Sequence, residues 1–332
     1  MKGWPRKILG VVLIIVLIGA ASIFLLGRKE VPESVTYGLS FNTQYARELG
    51  LEPRQVYDAL IDELGVRHFR LAAQWNLVEP ERDRYDFSEI DYQVERAERA
   101  GADVIFGVGR RLPRWPECHV PDWAKDLSWE EQKKEIRAYI ETTVNRYKDS
   151  PAIRYWQVEN EPYLTVFAYE YCGDLDEDFL REEIALVHSL DSSRPVLVTD
   201  SGNLGTWAGA YKNGDLFGTS VYVYFWTPEL GQFKTILPPY FYRVKEGLMR
   251  LLYGKKPTIL IELSAEPWLL EPVADTDVET QYSRMNVEKF NEIIEYAKKT
   301  RYDTQYLWGG EWWYWLRQRG HDEMWNRATE LF

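Results

Sequence analysis

From Val35 onward one pattern recurs along the chain. A short apolar or alternating run is followed by a longer segment whose apolar positions fall three and four apart. VTYGLSF (Val35 to Phe41) precedes PRQVYDALIDELG, HFRLAAQ (His68 to Gln74) precedes SEIDYQVERAERAG, and DVIFGVG (Asp103 to Gly109) precedes WEEQKKEIRAYIETTVNRYKD. IRYWQVEN (Ile153 to Asn160) precedes DEDFLREEIALVHSLD, and PVLVTDSG (Pro195 to Gly202) precedes a short segment near Trp207, the weakest unit. FGTSVYV (Phe217 to Val223) precedes YFYRVKEGLMRLLYG, PTILIEL (Pro257 to Leu263) precedes SRMNVEKFNEIIEYAKKT, and DTQYLWG (Asp303 to Gly309) precedes a last helix. Strands alternating with helices imply parallel pairing through right-handed crossovers, and eight units of this size match a closed α/β (β/α)8 TIM barrel. An open doubly wound sheet would want a glycine-rich phosphate turn after its first strand, and GLSFNTQ is not one.

The pattern is absent before residue 30. Ile8 to Leu26, ILGVVLIIVLIGAASIFLL, is uncharged and apolar over a length that crosses a bilayer as a helix. Lys2, Arg6 and Lys7 precede it, so the positive-inside rule leaves the N-terminus in the cytoplasm and the rest of the chain outside. A cleaved signal peptide would have a shorter apolar region and a better small-x-small site than GAAS. The expected organisation is a cytoplasmic stub and transmembrane signal-anchor helix over 1–30, then one catalytic domain over 31–332. That makes a single-pass protein of the cell membrane with its barrel extracytoplasmic.

The formal charge of −12 understates the acidity of the barrel. Lys2, Arg6, Lys7, Arg28 and Lys29 against Glu30 give the first thirty residues +4, leaving −16 for the remainder. Nucleic acid is therefore not an expected partner. Fourteen tryptophans and 22 tyrosines suit a heavy core or a platform for sugars. Four histidines without an HxH or HExxH pattern give no expectation of a metal or other cofactor.

Active sites of such barrels form at the C-terminal strand ends. There WQVENEPY (Trp156 to Tyr163) closes the fourth apolar run with Glu159, Asn160, Glu161 and Pro162, and the seventh run ends on Glu262, with Glu266 four residues on. Two carboxyls at one mouth suit a retaining glycosidase, in which one donates a proton and the other attacks the anomeric carbon. Glu159 alternates with Glu161, but the proline breaks the strand geometry, so a structural role is expected for it. Cys118 and Cys172 follow the third and fourth strands, close enough on one face to form a disulfide in an exported domain.

At these residues the chain resembles the clan A glycoside hydrolases, and the likeness runs from about Tyr37 to Trp315. NEP at Asn160 to Pro162 matches the clan's strand-four motif, which implies Glu161 as acid/base and Asn160 as a donor to the sugar 2-hydroxyl. Glu262 in ILIELSAEPW matches the nucleophile, although Leu263 and Ser264 depart from the usual following residues and leave Glu266 as an alternative. Arg70, in FRLAAQWNLVEPERDRYDF, would bond the nucleophile and keep it ionised, with Trp75 farther along the same loop. Tyr222, or Tyr224 two residues on, would contact the nucleophile, and Trp308 would floor the sugar. The resemblance implies a retaining β-glycosidase acting on a carbohydrate; an inactive glycan-binding barrel and a wall-remodelling transglycosylase are the alternatives. For Tyr222 and Trp308 the other reading is barrel filling, and for Trp75, Trp115 and Trp226 it is loop packing. His119, in RLPRWPECHVPDW, lies in the segment after the third strand.

Overall fold

The computed structural model describes residues 4–332 apart from 165, 167 and 270, with side chains from residue 10 onward. Eight parallel strands close into a barrel: β1 (Thr36–Ser40), β2 (His68–Ala72), β3 (Asp103–Val108), β4 (Ile153–Val158), β5 (Val196–Asp200), β6 (Leu216–Val221), β9 (Thr258–Ser264) and β10 (Thr304–Trp308). Each matches one of the expected runs, and β10 pairs with both β9 and β1, so no edge is left open. A feature the sequence pattern did not suggest is an antiparallel hairpin, β7 (Tyr224–Thr227) with β8 (Gly231–Lys234), which stands over the sixth strand end.

Two apolar layers hold the barrel. Ile105, Leu197, Leu216, Ile259, Ile261 and Tyr306 fill its interior, and the larger cluster lies between the sheet and the surrounding helices. The alternation along each strand supplies one residue to each layer in turn. Helix boundaries follow local chemistry. Ser128 and Glu131 form a capping box at the start of Trp129–Tyr147, and Gly101, in the left-handed region at φ 65°, ends Ser88–Ala100.

Alternation fails in β9, and the site depends on that failure. Thr219 of β6 pairs with Leu260 but Ser220 pairs with Glu262, and on the other side Gln305 pairs with Leu260 but Leu307 with Leu263. β9 therefore carries one extra residue, a β-bulge. It lets Glu262 face inward directly after the inward Ile261.

The expected N-terminal helix forms over Trp4–Leu26, and the side chains of Val11 to Ile18 are about half exposed or more. Among the described residues no helix is long and apolar enough to cross a membrane.

Candidate active site

β4 stops at Val158, and the next three residues leave strand geometry. Glu159 and Glu161 lie in the left-handed region at φ 58° and 42°, a conformation that costs about 1–3 kcal/mol for residues with a β-carbon and is commonest where a site demands it. Backbone and side-chain bonds hold the turn: Glu159 N–H to the Val108 carbonyl (3.0 Å), Asn160 N–H to the Arg111 carbonyl (2.6 Å) and Glu161 N–H to the Thr199 hydroxyl (2.8 Å). The Glu159 carboxylate accepts from the N–H groups of Arg110 (2.7 Å) and Arg111 (2.6 Å), the structural role expected for it. Gly109 accommodates that carboxylate, since an added β-carbon would lie 2.5 Å from Glu159 Oε1.

Arg70 organises the mouth. Fully buried at the barrel axis, it donates at 2.7 Å to each of three acceptors: from Nε to Gln157, from Nη1 to Glu262 Oε1 and from Nη2 to Asn160. The planar guanidinium fork alone allows one side chain to address β4 and β9 together. The second Glu262 oxygen accepts from the Tyr222 hydroxyl at 3.1 Å. Burial and then the charge of Glu262 raise that hydroxyl well above its ordinary range, so it stays a proton donor.

Glu161 sits in a contrasting environment. Its Oε1 is buried without a hydrogen-bond partner among the described residues. Burial, followed by the charges of Glu262 and Glu117, pushes its carboxyl well above the carboxylate range, with the Ser220 hydroxyl pulling weakly the other way. The two glutamates are thus close enough to feel each other but differently supplied with donors. One has an arginine and a phenol; the other has neither.

The remaining expected residues divide. Trp308 is brought to the mouth, edge-on to Tyr222 with ring centres 6.2 Å apart, and its face carries the Arg114 guanidinium at 4.7 Å. Trp75 is not brought there. Its ring is wholly buried against Trp123 and Tyr139, with Nε1 bonded to Glu79 at 2.7 Å, which is loop packing rather than a sugar platform. Tyr224 bonds Glu292 from the hairpin and leaves Glu262 to Tyr222. Glu266 pairs with Arg114 (Nη2 to Oε2, 2.9 Å), whereas Arg70 and Tyr222 both bond Glu262. Trp115 is exposed beside Tyr171, and Trp226 lies under Arg284. His119 is buried against Gln74 (3.0 Å) and the backbone of residues 112–114, and burial lowers it to about 4, so it packs as a neutral ring. Among the described residues no group of three or more His, Cys, Asp or Glu side chains is arranged to hold a metal.

Two residues of the strand-three segment escaped the sequence reading. Glu117, at φ 67° and paired with Arg111 at 2.6 Å, is a third carboxylate whose field reaches Glu161 and Tyr222. Arg114 lies between the rings of Tyr45 and Trp308. The available signal was four charged residues, Arg110, Arg111, Arg114 and Glu117, in a loop already bounded by a cysteine. That cysteine is bonded as expected: Cys118 and Cys172 form a disulfide with Cα atoms 5.4 Å apart. A cleft of about 760 Å³ opens beside it, lined by Arg110, Trp129, Cys172 and Arg181 among others, and shares none of its lining with the Glu161–Glu262 pair.

Comparison with known proteins bears on this geometry. The glycoside hydrolase family described as Beta-galactosidase matches residues 57–246, more than half of the chain. A beta-galactosidase of Clostridium cellulovorans is 24% identical over 170 residues, 46% of this chain and 25% of that protein. One of Haloferax lucentense is 23% identical over 198 residues, 53% and 26% respectively. The matched part is thus about a quarter of either relative's length. Among solved structures, the beta-galactosidase from Rahnella sp. R3 superposes with a TM-score of 0.54 at 14% identity, over 86% of this chain and 51% of that one. Xylanase 10B from Thermotoga maritima gives 0.55 at 15%, over 83% of each chain. At such identities these likenesses speak for the barrel fold.

Proposed function

The chain belongs to the Beta-galactosidase family of clan A glycoside hydrolases, and from that premise we propose that it hydrolyses O-glycosyl bonds of a β-linked glycoside with retention of configuration. One observation carries the reading. Arg70 ties Asn160 and Glu262 into a single hydrogen-bonded unit, beside a buried Glu161 whose carboxyl is pushed toward its protonated form.

In the first step Glu161 gives its proton to the glycosidic oxygen as Glu262 attacks the anomeric carbon, and the aglycone leaves as an alcohol. Asn160, fixed by Arg70, offers its amide N–H to the sugar 2-hydroxyl, and Trp308 underlies the ring. Esterification of Glu262 removes one of the charges that raise Glu161, so the acid of the first step becomes a better base for the second. Glu161 then takes a proton from water, which attacks the same carbon and releases the sugar with its original configuration.

The names of the relatives make β-galactosides the first substrates to assay. Glu262→Ala should abolish turnover of an aryl β-galactoside, and azide should restore part of it as a glycosyl azide of inverted configuration. A Glu262→Ala enzyme as active as the wild type would sink the assignment.

The same proposal includes a membrane anchor at Ile8 to Leu26, with the barrel outside the cytoplasm. Its support is the uncharged run behind Lys2, Arg6 and Lys7, together with a disulfide that persists in oxidising compartments. Resistance of the full chain to carbonate extraction, with the barrel open to external protease, is the expected result; release by carbonate would remove the anchor.

A further inference from the structure

The N-terminal helix does not merely precede the barrel; it is fastened to it at one place. The Tyr240 hydroxyl donates to the Ile23 carbonyl at 2.9 Å, and Gly247 meets the Leu26 backbone so closely that an added β-carbon would lie 1.9 Å from the Leu26 carbonyl oxygen. Lys29 pairs with buried Glu246 at 2.8 Å and lies 3.8 Å over the Tyr302 ring, and the Arg301 guanidinium bonds the Lys29 carbonyl. Tyr240, Gly247 and Leu251, spaced seven and four apart, share one stripe of the helix Pro239–Tyr253. One turn beyond Gly247 the stripe continues with Leu251.

Past that contact the stripe is apolar and uncovered. Leu251 is 72% exposed and Leu252 58%, with Leu248 and Tyr253 also exposed beside them. At the same end of the structure lie the exposed Phe24 and Leu25. Along the chain Arg250 and Lys255 bracket Leu251 and Leu252, and Arg28 follows Phe24 and Leu25, opposed by Glu30, on a domain that otherwise carries a large negative charge. Apolar side chains rimmed by cations, continuous with an exposed apolar helix, match the boundary between acyl chains and anionic headgroups.

We propose that this edge of the helix Pro239–Tyr253 rests on an anionic phospholipid bilayer. There it fixes the tilt of the barrel, and hence the direction in which the Glu161–Glu262 mouth faces. The inference rests on the anchor reading above and adds a second, lateral contact to it.

The test uses the full chain with single environment-sensitive labels at Leu252→Cys or, on the opposite side of the ring, Glu95→Cys, the two native cysteines being bonded. The chain is reconstituted into phosphatidylcholine vesicles with and without phosphatidylglycerol and floated. The expected result is a blue-shifted label at 252, quenched severalfold more by a lipid-borne quencher than the label at 95, with the difference larger when phosphatidylglycerol is present. Leu251→Glu together with Leu252→Glu should keep flotation, and a label at Leu248→Cys on that background should lose its excess quenching. Equal quenching at 252 and 95 in vesicles that still float the protein overturns the lateral contact and leaves the anchor standing. A protein that fails to float overturns both. A label at 252 that is blue-shifted without lipid, in a self-associated species, assigns the patch to a second copy of the chain and overturns the proposal.

Discussion

Arg70→Lys isolates the part of the site that depends on shape rather than charge. The arginine makes three bonds of 2.7 Å to Gln157, Glu262 and Asn160. A single ammonium on a shorter stem keeps the charge beside Glu262 but cannot reach both amide oxygens as well. Hydrogen bonds from a charged donor contribute about 1.5–3 kcal/mol each. Asn160 retains only long contacts with Gln157 and Thr199, both 3.4 Å, as substitutes. Allowing for partial relaxation, Arg70→Lys should cost about 2–4 kcal/mol. Arg70→Met, which also strips a buried carboxylate of its counter-charge, should cost a further ~2 kcal/mol or more. At about 1–2 °C per kcal/mol for a domain of this size, the lysine variant should melt about 2–8 °C below wild type by scanning calorimetry. Its kcat on an aryl β-galactoside should fall about 100-fold, because Asn160 and Glu262 lose their common reference point. Unfolding of both variants within a degree of wild type, with kcat unchanged, would refute the claim that this guanidinium assembles the site.

Other outcomes follow from particular groups. Glu311, buried and accepting from the Asn42 N–H at 2.6 Å, is raised to about 7 from 4.5, chiefly by burial. Its raised value opposes folding above the unfolded value of 4.5 and does so fully above 7. Glu311→Gln should therefore stabilise by about 3 kcal/mol at pH 8 and by nothing below pH 4.5, as read from urea midpoints at the two pH values. Glu117→Gln removes one of the charges that raise Glu161, so the alkaline limb of the kcat/KM profile should move to lower pH; a limb that stays in place would exclude Glu117 from the proton donor's field. The disulfide closes a separation of 54 residues, worth about 4 kcal/mol by loop entropy, so Cys118→Ser with Cys172→Ser should lower the melting temperature by several degrees. Equal melting of the reduced and oxidised proteins would show that the crosslink does not constrain the unfolded chain.

The eight strand runs were legible because each is an apolar stretch bounded by turn residues and followed by a segment of helical period, and closure of the barrel follows from their number. The hairpin Tyr224–Lys234 was not legible. Its aromatic residues read equally as loop, and only contacts such as Tyr224 with Glu292 and Gln232 with the Arg284 carbonyl hold it in place. Trp75 and Trp308 show the same limit from the other side. Two tryptophans at or just past a strand end look alike in sequence, yet one is sealed under Trp123 and Tyr139 and the other stands at the mouth beside Tyr222.

By itself the sequence determined the strand–helix alternation, the two glutamates at strand ends and the two cysteines on neighbouring loops, since local periodicity and residue chemistry specify these without knowledge of what lies opposite. Only the tertiary structure decided which way Glu262 faces. Strict alternation would turn it outward after the inward Ile261, and the extra residue that β9 carries against both β6 and β10 turns it back toward Arg70. It likewise gave Glu159 to the Arg110 and Arg111 backbone and left Glu161 without a donor on Oε1. The reason is the same in each case: a side chain's protonation and reach depend on partners from 48 to 192 residues away, and those partners are set by register and closure rather than by neighbours in the chain.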